Sequence, residues 1–229
     1  VTLHDLAAEH RVYLALPGVI FILSHGLFEI LKNQKLSILT LCVLTLFLGI
    51  LNIERNEVWK NELSLWQDTY KKSPGKLRPL INLARAHSIE GNNEEAVRLY
   101  EEALSKGPGI FVIQYNLGEL YLKEGRVEES ILRFQSALKL KPEIPETYAK
   151  LGEIYLARKN WKLADIYFKK RIEIDSQFSQ VFKNLGVLHF YHLKNLKESL
   201  LYFSRSLALD PNQAEAGEIR RLLKEYSTP

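Results

Sequence analysis

Residues 111–144 read FVIQYNLGELYLKEGRVEESILRFQSALKLKPEI, and residues 145–178 read PETYAKLGEIYLARKNWKLADIYFKKRIEIDSQF. Laid over one another they agree in side-chain size more than in identity. The same register extends in both directions, giving units at 77–110, 111–144, 145–178 and 179–213, the last with one inserted residue. Pro74, Pro108 and Pro142 fall at 34-residue intervals, Ser176 takes the next step, and Pro211 follows 35 residues later. Self-similarity at such a period marks a protein made of stacked repeats.

Within each unit the seventh position holds Leu83, Leu117, Leu151 or Leu185, and the eighth holds Ala84, Gly118, Gly152 or Gly186. The eleventh holds His87, Tyr121, Tyr155 or His189. In the second half of each unit, Ala96, Ser130, Ala164 and Ser199 precede Tyr100, Phe134, Phe168 and Phe203 by four residues. Small residues let two helices approach, and large ones a turn away on the same face fill the space between them, so each unit is expected to be an antiparallel helix pair. Gly91-Asn92, Gly125, Asn160 and Asn195 lie between the halves and serve as turns or C-caps.

This pattern resembles the tetratricopeptide repeat over residues 57–226. Val58 to Pro74 looks like the second helix of a preceding unit with Trp66 at its large position, and Ala214 to Tyr226 looks like a capping helix with Ile219, Leu222, Leu223 and Tyr226 at helical spacing. The expected architecture is all-α: a right-handed superhelix in domain 57–229, with a half-repeat at 57–76, four units and a cap at 214–229. Arg171 departs from the pattern, taking the small position filled by Ala103, Ala137 and Ser206. It implies either looser packing between the third and fourth units or an aliphatic stem laid along the groove with the guanidinium in water.

Ahead of the repeats the physics changes. Leu36 to Ile53 (LSILTLCVLTLFLGILNI) carries no charge over 18 residues, about 27 Å of helix and close to the thickness of a bilayer's hydrocarbon core. Val12 to Leu31 is a second apolar run, interrupted by Pro17-Gly18 and carrying His25 and Glu29. Residues 32–35 make a short turn between them, so residues 1–56 are expected to form a membrane hairpin of two transmembrane helices with an interfacial leader. The competing reading is a pair of core helices in a water-soluble domain. Glu29 is placed to pair with Lys32 three residues on.

Composition narrows function. Lys and Arg total 31 against 27 Asp and Glu, a net charge of +4 on interspersed signs, which argues against nucleic acid as a partner. Cys42 is the single cysteine, so no internal disulfide and no CxxC zinc pattern exists. No GxSxG or phosphate-cradling loop is present, and no catalytic residue, metal or cofactor is assigned. His189 and His192 are spaced at i and i+3, but His189 stands at a packing position. The absence of Met suggests a fragment that begins within a longer protein.

In such repeats the first helices line a concave face that takes an extended segment of another protein. That face is expected to present Arg78, Asn82, Arg85, Tyr115, Asn116 and Glu119 from the first two units. Lys123, Lys150, Glu153, Lys183, Asn184, Phe190 and Tyr191 continue it. Asn82, Asn116 and Asn184 share one position, and an amide that both donates and accepts suits a peptide backbone of any sequence. The row resembles the peptide-holding ladder of O-GlcNAc transferase repeats, with Lys150 interrupting it; asparagine is also simply common at this position. The carboxylate clamp of chaperone-binding repeats is not expected, because Ile81 and Arg85 stand where it needs Lys and Asn.

A narrower resemblance covers the order of parts. The AEHR string at 8–11 followed by Tyr13, an apolar hairpin, the segment ERNEVWKNELSLWQDTYKKSP at 54–74 and tandem repeats look like the C-terminal portion of transmembrane-and-repeat glycosyltransferases of the lipid-phosphate-sugar class, similar to protein O-mannosyltransferases. The resemblance implies that Glu9, His10 and Arg11 lie near a polyprenyl-phosphate sugar donor and that the catalytic acid lies upstream of Val1, with the repeats extracytoplasmic or luminal. By physics alone, Arg11 and Tyr13 are an interfacial anchor. Charge counts conflict on orientation: Lys32 and Lys35 favour a cytoplasmic turn, whereas Arg55, Lys60, Lys71 and Lys72 favour cytoplasmic repeats. The rival to a transferase module is a non-enzymatic repeat scaffold for a membrane complex.

Overall fold

The computed structural model describes Ile22, His25, Gly26, Glu29 and residues 34–226, apart from the side chains at 34, 37, 52, 54, 55 and 57. Among the described residues the chain is all-α, with eleven α-helices and no strand. It divides into two compact units, residues 1–65 and 66–229.

In the first unit, helix α1 runs over Gln34–Val58. Its apolar side chains are exposed around the helix, among them Leu39, Val43, Leu46, Phe47, Ile50 and Ile53. Thr40 and Thr45 turn their hydroxyls back onto the carbonyls of Leu36 and Leu41, each at 2.9 Å. Among the described residues no helix is long and apolar enough to cross a membrane, so the two expected spans are not found there. Several side chains at either end of α1 fall outside the description, and the Val12 to Leu31 run lies outside it except at Ile22, His25, Gly26 and Glu29.

The chain passes through α2, Glu62–Lys72, into four helix pairs. These are α3 (Leu77–Ile89) with α4 (Asn93–Lys106), and α5 (Phe111–Lys123) with α6 (Val127–Leu140). Next come α7 (Pro145–Ala157) with α8 (Trp161–Ile174), and α9 (Ser179–Val187) with α10 (Leu196–Leu209). Helix α11, Ala216–Tyr226, closes the stack. Each pair packs internally and then against the next, and α3 also meets α5.

The ring and the small residue that face each other set the crossing. A Cβ added to Gly152 would lie 2.6 Å from Cδ1 and Cε1 of Phe168; on Gly186 it would lie 2.5 Å from Cδ1 of Phe203, and on Gly118, 2.9 Å from Cε1 of Phe134. These rings are buried, so they cannot swing into solvent to make room. The serines among the small residues of the second helices add a bond: Ser130 Oγ donates to the Gly118 carbonyl at 2.7 Å and Ser199 Oγ to that of Gly186 at 3.0 Å. Trp66 is buried, as its large position requires.

The turns inside the pairs differ from expectation. A left-handed residue stands at the fifteenth position of every unit: Gly91 (φ 81°), Gly125 (φ 75°), Lys159 (φ 58°) and Lys194 (φ 55°). Asn160 and Asn195 are therefore not C-caps. They are N-caps of α8 and α10, their Oδ1 atoms accepting from Leu163 N at 3.3 Å and Glu198 N at 3.2 Å. The inserted residue of the fourth unit falls in its first helix, where α9 gives way to a π-helical turn at Leu188–His192.

Arg171 also differs. Its guanidinium is not in water: the residue is 3% exposed. Nη1 donates to the Asp175 carbonyl at 2.6 Å, Nη2 to Asp175 Oδ2 at 3.2 Å, and the group lies 4.9 Å from the centre of the Phe178 ring. It thereby ties down the end of α8 at the step where Ser176 replaces the recurrent proline.

The crossing makes a direct prediction. Gly152→Ala overpacks α7 against the Phe168 ring and should lower stability by roughly 1–3 kcal/mol. Gly217→Ala, in α11 with nothing within 4 Å of the new Cβ, should not destabilise. Equal denaturation midpoints for the two variants would contradict the packing described.

Candidate binding face

Helices α3, α5, α7 and α9 carry the residues expected to line a concave face. Arg78 and Arg85 are exposed on α3, with Asn82 half-buried between them. On α5, Tyr115, Asn116 and Glu119 are half-buried and Lys123 is exposed. The Tyr115 ring stacks on Phe111 with centroids 5.7 Å apart and meets the edge of Phe134 at 5.4 Å, so its orientation is fixed by the core.

The polar groups are partly committed. Asn116 Nδ2 donates to the Tyr100 hydroxyl at 2.6 Å, leaving its carbonyl oxygen and second N–H for other partners. Asn184 Oδ1 accepts from Gln180 Nε2 at 2.9 Å. Lys150, which interrupts the asparagine row, reaches Glu119 at 3.0 Å and ties α7 to α5, while Glu153 is exposed.

The far end of the face is occupied by the cap. Lys183 Nζ bonds Glu215 Oε1 at 2.7 Å. Phe190 is half-buried against α11: its ring meets Tyr226 at 5.4 Å and Phe203 at 6.4 Å and packs on the cluster of Phe203, Ile219 and Leu222. Tyr191, next to it in the π-helical turn, remains exposed.

Exposed aliphatic side chains belong to the same helices: Val112, Val187 and Ile89. They stand at the second, ninth and thirteenth positions of their units. Arg78, Glu119 and Lys123, expected on the concave face, occupy the same three positions in their units.

Burial pushes the Tyr100 phenol up to about 12, with the Asn116 amide working the other way. Tyr115 is also pushed up to about 12, first by burial and then by the carboxylates of Glu119, Glu146 and Glu153. Both phenols are therefore neutral donors across the physiological range, and acidic groups surround Tyr115.

Elsewhere the polar chemistry is structural. His189 is buried with Nε2 2.8 Å from Asp165 Oδ1, and His192 stacks on Trp161 at 3.8 Å. A depression of about 860 Å³ near the α3–α4 turn is lined by His87, Arg98, Glu101 and Arg126 among others. Its arginines are committed to Glu95 and to Glu124 and Glu129, and Glu101 accepts from Tyr121. Among the described residues no three His, Cys, Asp or Glu side chains are grouped to hold a metal ion. Glu9, His10 and Arg11 lie outside the described residues.

Repeated helix pairs crossing ring on glycine define a helical-repeat protein. Residues 80–110 of the chain match the tetratricopeptide repeat family, and residues 118–158 match the TPR repeat family. Among solved structures it is similar to MamA from Desulfovibrio magneticus RS-1, with 17% identity over 71% of this chain and 94% of that one at a TM-score of 0.61. It is likewise similar to YrrB, described as a TPR protein with an unusual peptide-binding site, with 21% identity over 71% and 83% and a TM-score of 0.61. A tetratricopeptide repeat protein from Parabacteroides merdae aligns with 20% identity over 76% and 70% and a TM-score of 0.60. No curated protein sequence matches the chain.

The phenols carry a pH prediction. A pKa raised above the unfolded value of about 10 adds stability that is complete below pH 10 and is lost as pH rises toward the folded value of about 12. The melting temperature should fall between these limits, and Tyr100→Phe should flatten the fall. The same slope in wild type and variant would contradict the burial assigned to Tyr100.

Proposed function

We propose that the chain binds an extended segment of another protein along the face of α3, α5, α7 and α9, tethered to a membrane by the apolar segment ahead of the repeats. The observation that carries the first part is the combination on one face of exposed Val112, a core-fixed Tyr115 and an Asn116 amide with hydrogen-bonding capacity to spare. Apolar area supplies affinity, and amides satisfy a backbone independently of its sequence. YrrB, of the same fold, is described as having a peptide-binding site. Electrostatics favour a segment with a basic residue near Tyr115, where Glu119, already paired with Lys150, and the exposed Glu146 and Glu153 all act on its phenol.

The tether rests on α1. Its exposed leucines, isoleucines and Phe47 are costly in water, and the return of its threonine hydroxyls onto its own carbonyls suits an apolar surrounding. The AEHR string and the order of parts support placing the module as the acceptor-recognising end of a lipid-linked-sugar glycosyltransferase, with repeats outside the cytoplasm. In that reading Glu9, His10 and Arg11 meet the donor's phosphate.

One preparation tests both parts. The full chain is reconstituted into phosphatidylcholine vesicles and titrated with fluorescently labelled, reduced and carboxymethylated lactalbumin as an extended probe. The chain should float with the vesicles, and replacing Asn82, Asn116 and Asn184 by Ala should weaken probe binding about tenfold with helicity unchanged. Binding unaffected by the triple substitution removes the backbone-holding role, and a chain that fails to float removes the tether.

A further inference from the structure

The opposite face, built by the second helices, carries a pattern that the binding face does not use. At the twenty-second position of each unit stand Arg98, Leu132, Ile166 and Leu201. The three aliphatic side chains are 61%, 53% and 65% exposed, a row of one apolar position repeated across three successive repeats. Scattered surface leucines are ordinary, but here the same position is aliphatic and exposed in register.

The charges flanking the stripe say what covers it. One turn N-terminal, the eighteenth position reads Glu94, Glu128, Lys162 and Lys197, all exposed: two negative charges followed by two positive. Two turns C-terminal, the twenty-ninth position places Lys139 on α6 and Glu173 on α8, again exposed and opposite in sign. A row that runs from negative to positive is complementary to itself when reversed.

We infer that this face pairs with the same face of a second copy of the chain, about a two-fold axis parallel to the helices and passing between α6 and α8. Such an axis reverses the order of repeats and preserves helix direction. Each residue of the second repeat then faces the residue at the same position of the third. Leu132 meets Ile166 of the second copy, Glu128 meets Lys162 of the second copy, and Lys139 meets Glu173 of the second copy. In the central two repeats apolar opposes apolar and opposite charges meet at both flanks, while at the outer repeats Arg98 opposes Leu201 and Glu94 opposes Lys197 of the second copy.

Two of these groups already have partners within the chain, Glu128 with Arg158 at 2.7 Å and Glu173 with Lys170 at 2.6 Å. Those pairs are on the surface, with Glu128 72% and Glu173 60% exposed, and each carboxylate retains an oxygen for a second cation. A heterologous partner has no reason to match a sign reversal at the middle of the stack. A second copy needs it.

The test uses the full chain as an equal mixture of ¹⁴N- and ¹⁵N-labelled protein, treated with a zero-length carbodiimide that couples carboxylates to lysines in contact. A mixed-isotope product joining Lys139 to Glu173 is expected. Glu128→Lys or Lys162→Glu, which puts like charges opposite one another at the other flank, should lower its yield at least tenfold, and the two together should restore it. Ile166→Asp should also abolish it. Only same-isotope products in the wild type, no restoration by the double exchange, or a mixed product that survives Ile166→Asp would each overturn the inference.

Discussion

The repeats depend on one contact, an aromatic ring of a second helix laid on the small residue of the first. At Gly118, Gly152 and Gly186 that contact leaves no room for a methyl group, which is why the backbones approach closely enough for Ser130 and Ser199 to bond the glycine carbonyls across the crossing. At the eleventh position, Tyr121 and His189 reach back to Glu101 and Asp165 of the preceding pair. No pair buries its faces alone, so the geometry of one crossing is propagated along the chain.

Much of this was legible because it is written in side-chain size. Gly152 with Phe168, and the burial of Trp66, follow from the 34-residue register. Features that depend on a single atom's surroundings were not. Lys159 and Lys194 occupy left-handed turn positions where glycine stands in the first two units, and nothing in their composition signals it; the asparagines beside them drew attention to the turn but serve the next helix. Arg171 is buried through a bond to a backbone carbonyl that appears only once the end of α8 is built. On the face of the first helices, its position places Phe190 with the lining residues, and its packing against α11 is a contact the repeat register does not show.

The two faces of the repeat stack divide the chemistry. The first helices combine exposed aliphatics, an oriented tyrosine and amides, the surface proposed to take an extended segment. The second helices carry an apolar stripe edged by charges whose signs reverse at the middle. Binding on one face and pairing through the other are compatible, since Lys150 and Glu119 on the first and Leu132 and Ile166 on the second belong to different helices.

Hydrogen exchange measured by mass spectrometry on the full chain tests the stacking account most directly. Nearest-neighbour stacking predicts graded protection, highest in α5 to α8, whose pairs are covered on both sides, and lower in α3 and in α10 and α11. Uniform protection across the repeats, or protection greatest in α11, would contradict it.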